Sequence, residues 1–509
     1  MKKKNLWNIF CGAALGLQLL AEGTAMYHVL RLNMLPDLYV AILAGGFLLL
    51  TLLSAGLLFL HGKKPVSTLR RILGMVLALL IAAGSCALVY VTDQLHDTME
   101  GIADPSVSTA SRNVYVLKEN GAKDLSDARD YTFGYVLGYD TENTDKTLQV
   151  LEKELGKIVV TQGFDTVFAM VDALYAGSID ALILNDAYLT IFEDWVGYED
   201  FGERTRVLYT ALIEEEKPDP VPETTQQETV QSGKPDSELP VTERPFLIYL
   251  SGSDTRYKKL GSKTRSDVNI LAAVNPLTKQ VLLLNTPRDY YVENPAGGGA
   301  LDKLTHCGIY GTENSVEALE NLYNTSIDGY AKINFAGFET LIDEVGGVTV
   351  YSTKGFTSGG ITIVKGNNTL NGKEALIFAR ERYSLSGGDR DRGKNQMKIL
   401  EAVIKKLTTS TALISNYADI LRSLKGMLKT DISTEDISAL VKLQLEEMPQ
   451  WEVLTFAVSG KTGKDKNYSM PGLKASVMYQ DEALVAQASD LLARMLAGQT
   501  LTEADMKIS

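Results

Sequence analysis

RSDVNILAAVNPLTKQVLLLNTPRD, residues 265–289, decides the fold of the part of this 509-residue chain that carries the chemistry. Val268 to Val274 and Val281 to Asn285 are apolar runs of strand length, and Asn275-Pro276-Leu277-Thr278-Lys279 between them is a turn short enough for a hairpin. In such a hairpin Arg265 and Asp267 precede the first strand while Arg288 and Asp289 follow the second, so all four lie at one open end. Upstream, Phe246 to Leu250 is another buried-strand run, and the SGSDTR after it sets Asp254 and Arg256 in a strand-end loop, where α/β folds place sites. Either Asp254 or Asp267 alone would pass for a turn cap; two carboxylates beside arginines read as a site. Downstream, Glu313 to Tyr323 and Phe335 to Val345 are amphipathic helices that pack as layers on the sheet, and a lipid tail would need a greasy cleft between such layers.

Further along, FARERYSLSGGDRDRGKNQ, residues 378–396, sets four arginines, three acids and a glutamine around a Ser-Leu-Ser-Gly-Gly turn. Four fixed cations that close together need an anion. Arg380 and Arg382 end an apolar run, Ala375 to Ala379, and in an extended segment they share a face while Glu381 points away. Arg392 and Gln396 stand four apart at the start of a helix, again on one face. Met397, Leu400, Val403, Ile404 and Leu407 form that helix's apolar stripe. Its N-terminus adds unpaired N–H groups and positive dipole character, which suits a phosphate. A solvated loop of local ion pairs would explain the arginines alone; convergence of both flanking elements on one point favours phosphate binding.

A composition of 45% hydrophobic and 22% charged residues is that of a folded chain of two or three domains, and a net charge of −13 argues against nucleic acid as a partner. Apolar runs near Leu38–Leu60 and Leu69–Val91 are long enough to cross a membrane, and a weaker run near Ile9–Leu30 is interrupted by Gln18, Glu22 and His28. Lys2 to Lys4 before the first run, and Lys63, Lys64, Arg70 and Arg71 between the second and third, place both segments in the cytoplasm. Everything after Val91 is then expected outside. Cys11 and Cys86 lie in the spans and Cys307 stands alone, so there is no disulfide framework, which suits a Gram-positive surface. A thiol nucleophile at Cys307 lacks an orienting third group, and four histidines, three of them in or beside the spans, argue against zinc.

From 112 to 213 short strand-like runs (Val114–Leu117, Ile158–Thr161, Ala181–Leu184) alternate with helical ones (Thr147–Leu155, Thr166–Tyr175). DALYAGSIDALILNDAY, residues 172–188, is similar to a stretch of solute-binding proteins, but the length is that of one lobe. A scaffold or docking module and a small-molecule sensor are both open for it. Residues 214–245, rich in proline, threonine, glutamine and acids, form a linker. Ser459-Gly460-Lys461-Thr462 looks like the end of a P-loop, but Thr455 occupies the first glycine position, and Lys461-Thr462-Gly463 has no Ser-x-x-Lys to serve as a penicillin-binding nucleophile.

GSDTR, RSDVNILAAVNP, NTPRD, KLTH, LNGKEALIFARER and GDRDRGKNQ, in this order and spacing, resemble the LytR-CpsA-Psr family of cell-wall glycopolymer transferases over Phe246 to about Leu407. Three spans, an extra α/β module and then this domain look like its capsule-assembly branch. Two places depart from the commonest pattern: KLTHCGIYG and DRDRGKNQ. Together with the readings above, the resemblance gives an α/β chain: a membrane anchor (1–92), an accessory α/β domain (112–213), the linker, a mixed-sheet α-β-α catalytic domain (246–464) and a variable tail (465–509). It also implies transfer of a glycopolymer from polyprenyl pyrophosphate in the membrane lipid to a peptidoglycan hydroxyl, with capsule-assembly proteins as neighbours. Asp254 and Asp267 would then hold Mg²⁺, or Mn²⁺ in its place, and Arg265, Arg288, Arg380, Arg382, Arg392 and Gln396 would grip phosphate oxygens. Asp289 or Asp389 would orient arginines or deprotonate the acceptor. A lipid pyrophosphatase and a membrane sensor of capsule synthesis stay open as alternatives.

Overall fold

Three N-terminal helices, α1 (Lys2–Leu32), α2 (Asp37–Phe59) and α3 (Thr68–Ala103), are each long and apolar enough to cross a membrane. The structure, a computed structural model, describes residues 2–60, 67–103, 107–137, 141–185, 188–189, 192, 197–216, 239–253, 260–261, 263–382, 389–409 and 417–507. Glu22 of α1 turns into the bundle, where it accepts from Gln18 at 2.9 Å and from Thr51 of α2 at 2.6 Å, so a carboxyl at membrane depth is hydrogen-bonded by its neighbours. The third helix runs for 36 residues. At 1.5 Å per residue that is about 54 Å, against roughly 30 Å of hydrocarbon. Its last turns bury Thr98, Met99 and Ile102 against the C-terminal half of the chain.

A five-stranded sheet follows. It is built from β1 (Val107–Leu117), β2 (Thr132–Val136), β3 (Val160–Phe164), β4 (Ala181–Leu184) and β5 (Thr205–Glu216), in the order β3-β2-β4-β1-β5. The helices α4 (Thr141–Leu155), α5 (Val167–Tyr175) and the short α6 (Phe201–Arg204) pack on it. β2 is parallel to β3 and β4, whereas β1 is antiparallel to β4 and β5. Thr166 starts α5 by accepting from the Ala169 amide at 3.1 Å, as a β-region N-cap should. One core of this unit is aromatic: Phe168, Phe192, Tyr198 and Phe201 meet edge-on or tilted at 4.6 to 5.8 Å. Most of the linker, 217–238, lies outside the described residues.

The remaining chain forms a three-layer α-β-α unit. In order come β6 (Phe246–Ser253), β7 (Val268–Asn275), β8 (Gln280–Asn285), β9 (Tyr291–Asn294), β10 (Ala300–Lys303), the one-turn α7 (Leu304–Cys307), α8 (Thr312–Tyr323), β11 (Gly329–Asn334) and α9 (Phe335–Glu344). Then come β12 (Val348–Ser352), β13 (Phe356–Ser358), β14 (Ile361–Ile363), β15 (Gly366–Leu370), α10 (Gly372–Arg380), α11 (Asp389–Thr409) and α12 (Tyr417–Leu424). The chain ends in β16 (Leu428–Thr430), α13 (Thr434–Glu447), β17 (Glu452–Ala457), the hairpin β18 (Gly460–Asn467) and β19 (Met470–Gln480), and α14 (Glu482–Leu496).

The central sheet runs β16-β11-β6-β7-β8-β17, mixed, with β11 parallel to β6 and β17 parallel to β8. Residues 265–289 form the expected hairpin: Val274 faces Val281, and Asn275 Oδ1 closes the turn by accepting from Leu277 and Thr278 at 3.0 and 3.2 Å. Alternation sets the layers. Leu271, Ala273, Leu282 and Leu284 pack with α8 and α14 on one side, and Ile270, Ala272, Val281 and Leu283 pack with Met397 of α11 on the other.

Two expectations need correcting. Ala375 to Arg380 is not extended but lies in α10, because Asn371 and Glu374 form a reciprocal capping box, each amide donating to the other side chain at 3.0 Å. The division at 464/465 falls inside β18, and the segment beyond it is part of the same unit: Leu484, Leu491, Leu492 and Met495 of α14 are buried in the main core.

On the membrane side, α3 touches α12, β16 and α13, and Lys442 of α13 pairs with Asp37 at the start of α2 at 2.8 Å.

Candidate functional site

A cleft of about 540 Å³ opens between β6 and β11 on one side and α9, α10 and α11 on the other. Its body is apolar: Leu250, Ala331, Ile333, Phe338, Leu341 and Leu428 line it. Its polar groups gather where the strands end. Gly252 stands one residue before the end of β6, Asn334 closes β11, Asp267 stands before β7, Arg288 follows β8, Arg380 and Arg382 come from the end of α10 and just past it, and Arg392 and Gln396 come from α11. Two helix N-termini reach the same cleft, since Asn334 ends β11 and also caps α9 by accepting from the Gly337 amide at 2.8 Å, while Arg392 lies in the first turn of α11. Positive dipole ends and fixed guanidiniums at one place suit an anion.

The hairpin's open end brings Arg265, Asp267, Arg288 and Asp289 together. Arg288 Nη1 lies 3.0 Å from Asp267 Oδ1 and Arg265 Nη2 lies 4.0 Å from it, with the Thr305 hydroxyl donating to the same oxygen at 3.2 Å. Burial alone would raise the Asp267 carboxyl, but Arg288, Arg265 and Arg392 more than offset this and hold it below the ordinary carboxylate range. Asp289 behaves likewise: burial works against it, yet Lys303 at 3.0 Å and Arg288 bring it down to about 2. A carboxylate that acidic is a poor base and a good anchor.

Arg380, at the end of α10, lies over the Phe335 ring, its Cζ 4.7 Å from the centroid. It and Arg382 therefore reach the cleft from a helix end rather than from a strand, and the convergence expected of them survives the change of element. The seat of Arg392 depends on close approach. Next to it, Gly393 of α11 rests on the side chain of Asn285 at the end of β8, and a Cβ there would come within 2.8 Å of Asn285 Cγ. Gln396 donates to the Ala379 carbonyl at 3.4 Å, tying α11 to α10. Asp254 and Arg256 lie outside the described residues, and Asp389 is described only as the first residue of α11.

Sequence reasoning missed Lys303, Thr305, Asn334 and Phe335. The KLTH segment carried the first two as a motif without a role, and the signal that could have found Asn334 is an Asn directly before a helical run. Cys307 is fully buried, and burial, aided by the Asp302 charge, pushes its thiol well up, which leaves it inert. His306 beside it is buried too; burial lowers it against the pull of Asp302, whose Oδ1 lies 2.7 Å from Nδ1.

Several known proteins are similar to this chain. An Enterococcus faecalis (strain ATCC 700802 / V583) protein named polyisoprenyl-teichoic acid–peptidoglycan teichoic acid transferase TagU is 35% identical over 214 residues, which is 42% of this chain and 70% of that one. TagU of Bacillus subtilis (strain 168) is 32% identical over 209 residues, 41% of this chain and 67% of its own. Among solved structures, that of B. subtilis TagV is 27% identical and aligns over 51% of this chain and 99% of its own with a TM-score of 0.43. With the LytR_cpsA_psr family model matching residues 213–484, more than half its length, the chain belongs to the LytR_cpsA_psr family.

Proposed function

We propose that this protein is a membrane-anchored phosphotransferase that moves a glycopolymer, capsular or teichoic-acid-like, from a polyprenyl pyrophosphate carrier to a peptidoglycan hydroxyl. The observation that carries the reading is one cleft with two chemistries: an arginine-lined end whose charge suits phosphates, continuous with an apolar body whose lining suits an isoprenoid chain. The named activities of the TagU relatives support it. Lys2 to Lys4 at the head of α1, Lys63 and Lys64 between α2 and α3, and Arg70 and Arg71 in the first turn of α3 support placing the cleft on the outer side of the membrane, which we read as that of a Gram-positive cell. The three spans and the accessory unit favour a place beside capsule-assembly proteins.

Phosphoryl transfer needs alignment and charge neutralisation more than covalent help. Arg288, Arg380, Arg382 and Arg392 would hold the pyrophosphate oxygens, and Gln396 would fix α11 against α10. Arg265 is only 4% exposed and lies at the back, so it reinforces the charge on Asp267 more than it grips substrate. Asp289, locked to Lys303 and Arg288, orients the latter. Mg²⁺, or Mn²⁺ in its place, would be held by Asp267, whose side-chain contacts among the described residues fall on Oδ1, with Asp254 as the second ligand that the family resemblance implies. Such an ion would neutralise charge on the bridging phosphates.

The test uses the full chain in nanodiscs with a polyprenyl-pyrophosphate disaccharide, Mg²⁺ and peptidoglycan fragments, read by mass spectrometry. A phosphodiester-linked adduct that disappears in Asp267→Ala and Arg382→Ala is the expected outcome. Phosphate release without adduct would instead identify a lipid pyrophosphatase, and neither product with lipid still bound would identify a sensor.

A further inference from the structure

Eight residues, Lys303 to Tyr310, join the candidate site to the accessory unit. At their start, Lys303 Nζ holds Asp289 at 3.0 Å and the Thr305 hydroxyl donates to Asp267 at 3.2 Å. The Thr305 backbone is bonded on both sides, its amide donating to the Arg288 carbonyl at 2.9 Å and its carbonyl accepting from the Ser266 amide at 3.2 Å. One segment thus pins both strand ends of the 265–289 hairpin. At its other end Ile309, 1% exposed, belongs to the aromatic core of the five-stranded unit together with Met470 and Ala475 of β19. Tyr310 packs there as well, and its hydroxyl lies 3.1 Å from Ser469 Oγ. The middle has little slack: Leu304 to Cys307 are all buried, and Asp302 is held by His306, Asn294 and the Ser469 amide at 2.7 to 3.1 Å. A second contact joins the same two units, Asn185 Nδ2 donating to the Lys263 carbonyl at 3.4 Å, two residues before Arg265.

We infer that the accessory unit positions the catalytic carboxylates and arginines: Ile309 and Tyr310, seated in its core, set the place of Lys303 and Thr305 and through them the Arg288–Asp267–Asp289 cluster. They are positioning residues for the transfer reaction, and the inference rests on that reading of the cleft. Packed interiors transmit displacement because they have few voids to absorb it. Ile309 and Tyr310 lie on the α8 side of the central sheet, away from the apolar body of the cleft, so a disturbance there should reach the phosphate end and spare lipid binding.

The experiment compares wild type, Ile309→Asp and Ile309→Val as full chains in nanodiscs, with two readouts. Kinetics on the lipid-linked disaccharide should show kcat about 10- to 100-fold lower in Ile309→Asp, the cost of displacing reacting groups by ~1 Å. The donor KM should stay within about twofold, as for an interaction made only in the transition state, and Ile309→Val should match wild type. Hydrogen exchange should quicken at the Ser266 and Thr305 amides in the Asp variant alone. Unchanged kcat and unchanged exchange at these amides, with the accessory core visibly loosened, would overturn the inference. If wild type forms no adduct, the transferase reading fails while the exchange measurement still decides the coupling. If Ile309→Asp does not fold, Phe192→Ala, confined to the accessory core, takes its place: a slower kcat with faster exchange at Ser266 and Thr305 is expected, and no change in either overturns the inference.

Discussion

Replacing Gly393 by alanine should disable the site from a position that touches no substrate. The added Cβ would stand 2.8 Å from Asn285 Cγ and nearer still to its Oδ1, whereas ordinary contacts begin at 3.4 Å, so Cγ alone demands 0.6 Å (3.4 minus 2.8). Asn285 is 4% exposed and has little room to turn away, so the N-terminal turns of α11 must lift by roughly 1 Å. Overpacking of this kind costs about 1–3 kcal/mol, and alanine's better helix propensity returns about 0.5–1 kcal/mol. Stability should therefore fall only modestly. Activity should fall much further, because Arg392 and Gln396 ride on the lifted turns and a ~1 Å misplacement costs on the order of 100-fold in rate. Adduct formation and a thermal melt on the same preparation check this, with Asn285→Ala as the second-site partner. The double variant should recover most of the lost rate, since it removes the obstructing atoms. Wild-type kcat in Gly393→Ala, or a double variant as slow as the single, would refute the reasoning.

Arg288→Ala should lower turnover by at least about 100-fold, the usual cost of ~2.7–4 kcal/mol for one transition-state clamp, as measured by adduct yield per minute. Phe335→Ala removes the ring beneath Arg380; since that arginine is exposed, about 0.5–1 kcal/mol is at stake and the donor KM should rise a few-fold in steady-state kinetics. Lys332, fully buried on β11, is lowered to about 7 by burial against the pull of Glu313. The unfolded chain keeps that proton up to about 10.5, so between the two values it binds more protons than the folded form and stability should rise with pH. Melting temperatures from pH 7 to 10 should show the rise, and Lys332→Met should flatten it. Thiol reagents should leave activity intact in the folded protein, because Cys307 is buried and protonated; a mass shift at Cys307 with inactivation would contradict this.

The hairpin was legible because its two apolar runs, its Asn-Pro turn and its flanking charges all point to one pairing, and neither strand competes with a helical period. Arg392 and Gln396 were placed correctly for a similar reason: the stripe from Met397 to Leu407 fixes the helix that carries them. The segment before Arg380 misled because its short apolar run has no period of its own, and the deciding signal, Asn371 with Glu374, lies upstream. Lys303 and Thr305 could not be read as site residues. They meet Asp289 and Asp267 only through tertiary folding, and nothing local in KLTH says which way either side chain turns. α14 was hidden for another reason, since its apolar face finds its partners on α8, β7 and β8, far earlier in the chain.

The length of α3 has a mechanical meaning. A domain on a flexible tether samples a hemisphere, and its altitude above the bilayer is an average. Here the helix that leaves the membrane continues unbroken into a buried seat at Thr98, Met99 and Ile102, and Lys442 grips Asp37 at the head of the neighbouring span. The cleft then rides at one fixed height, like a reading head over a disc. On the proposed reaction, a lipid-borne donor would need only two-dimensional diffusion to reach it, while an acceptor strand would have to lie within a narrow layer above the membrane. Reach, more than chemistry, would then select which strands of the wall are decorated.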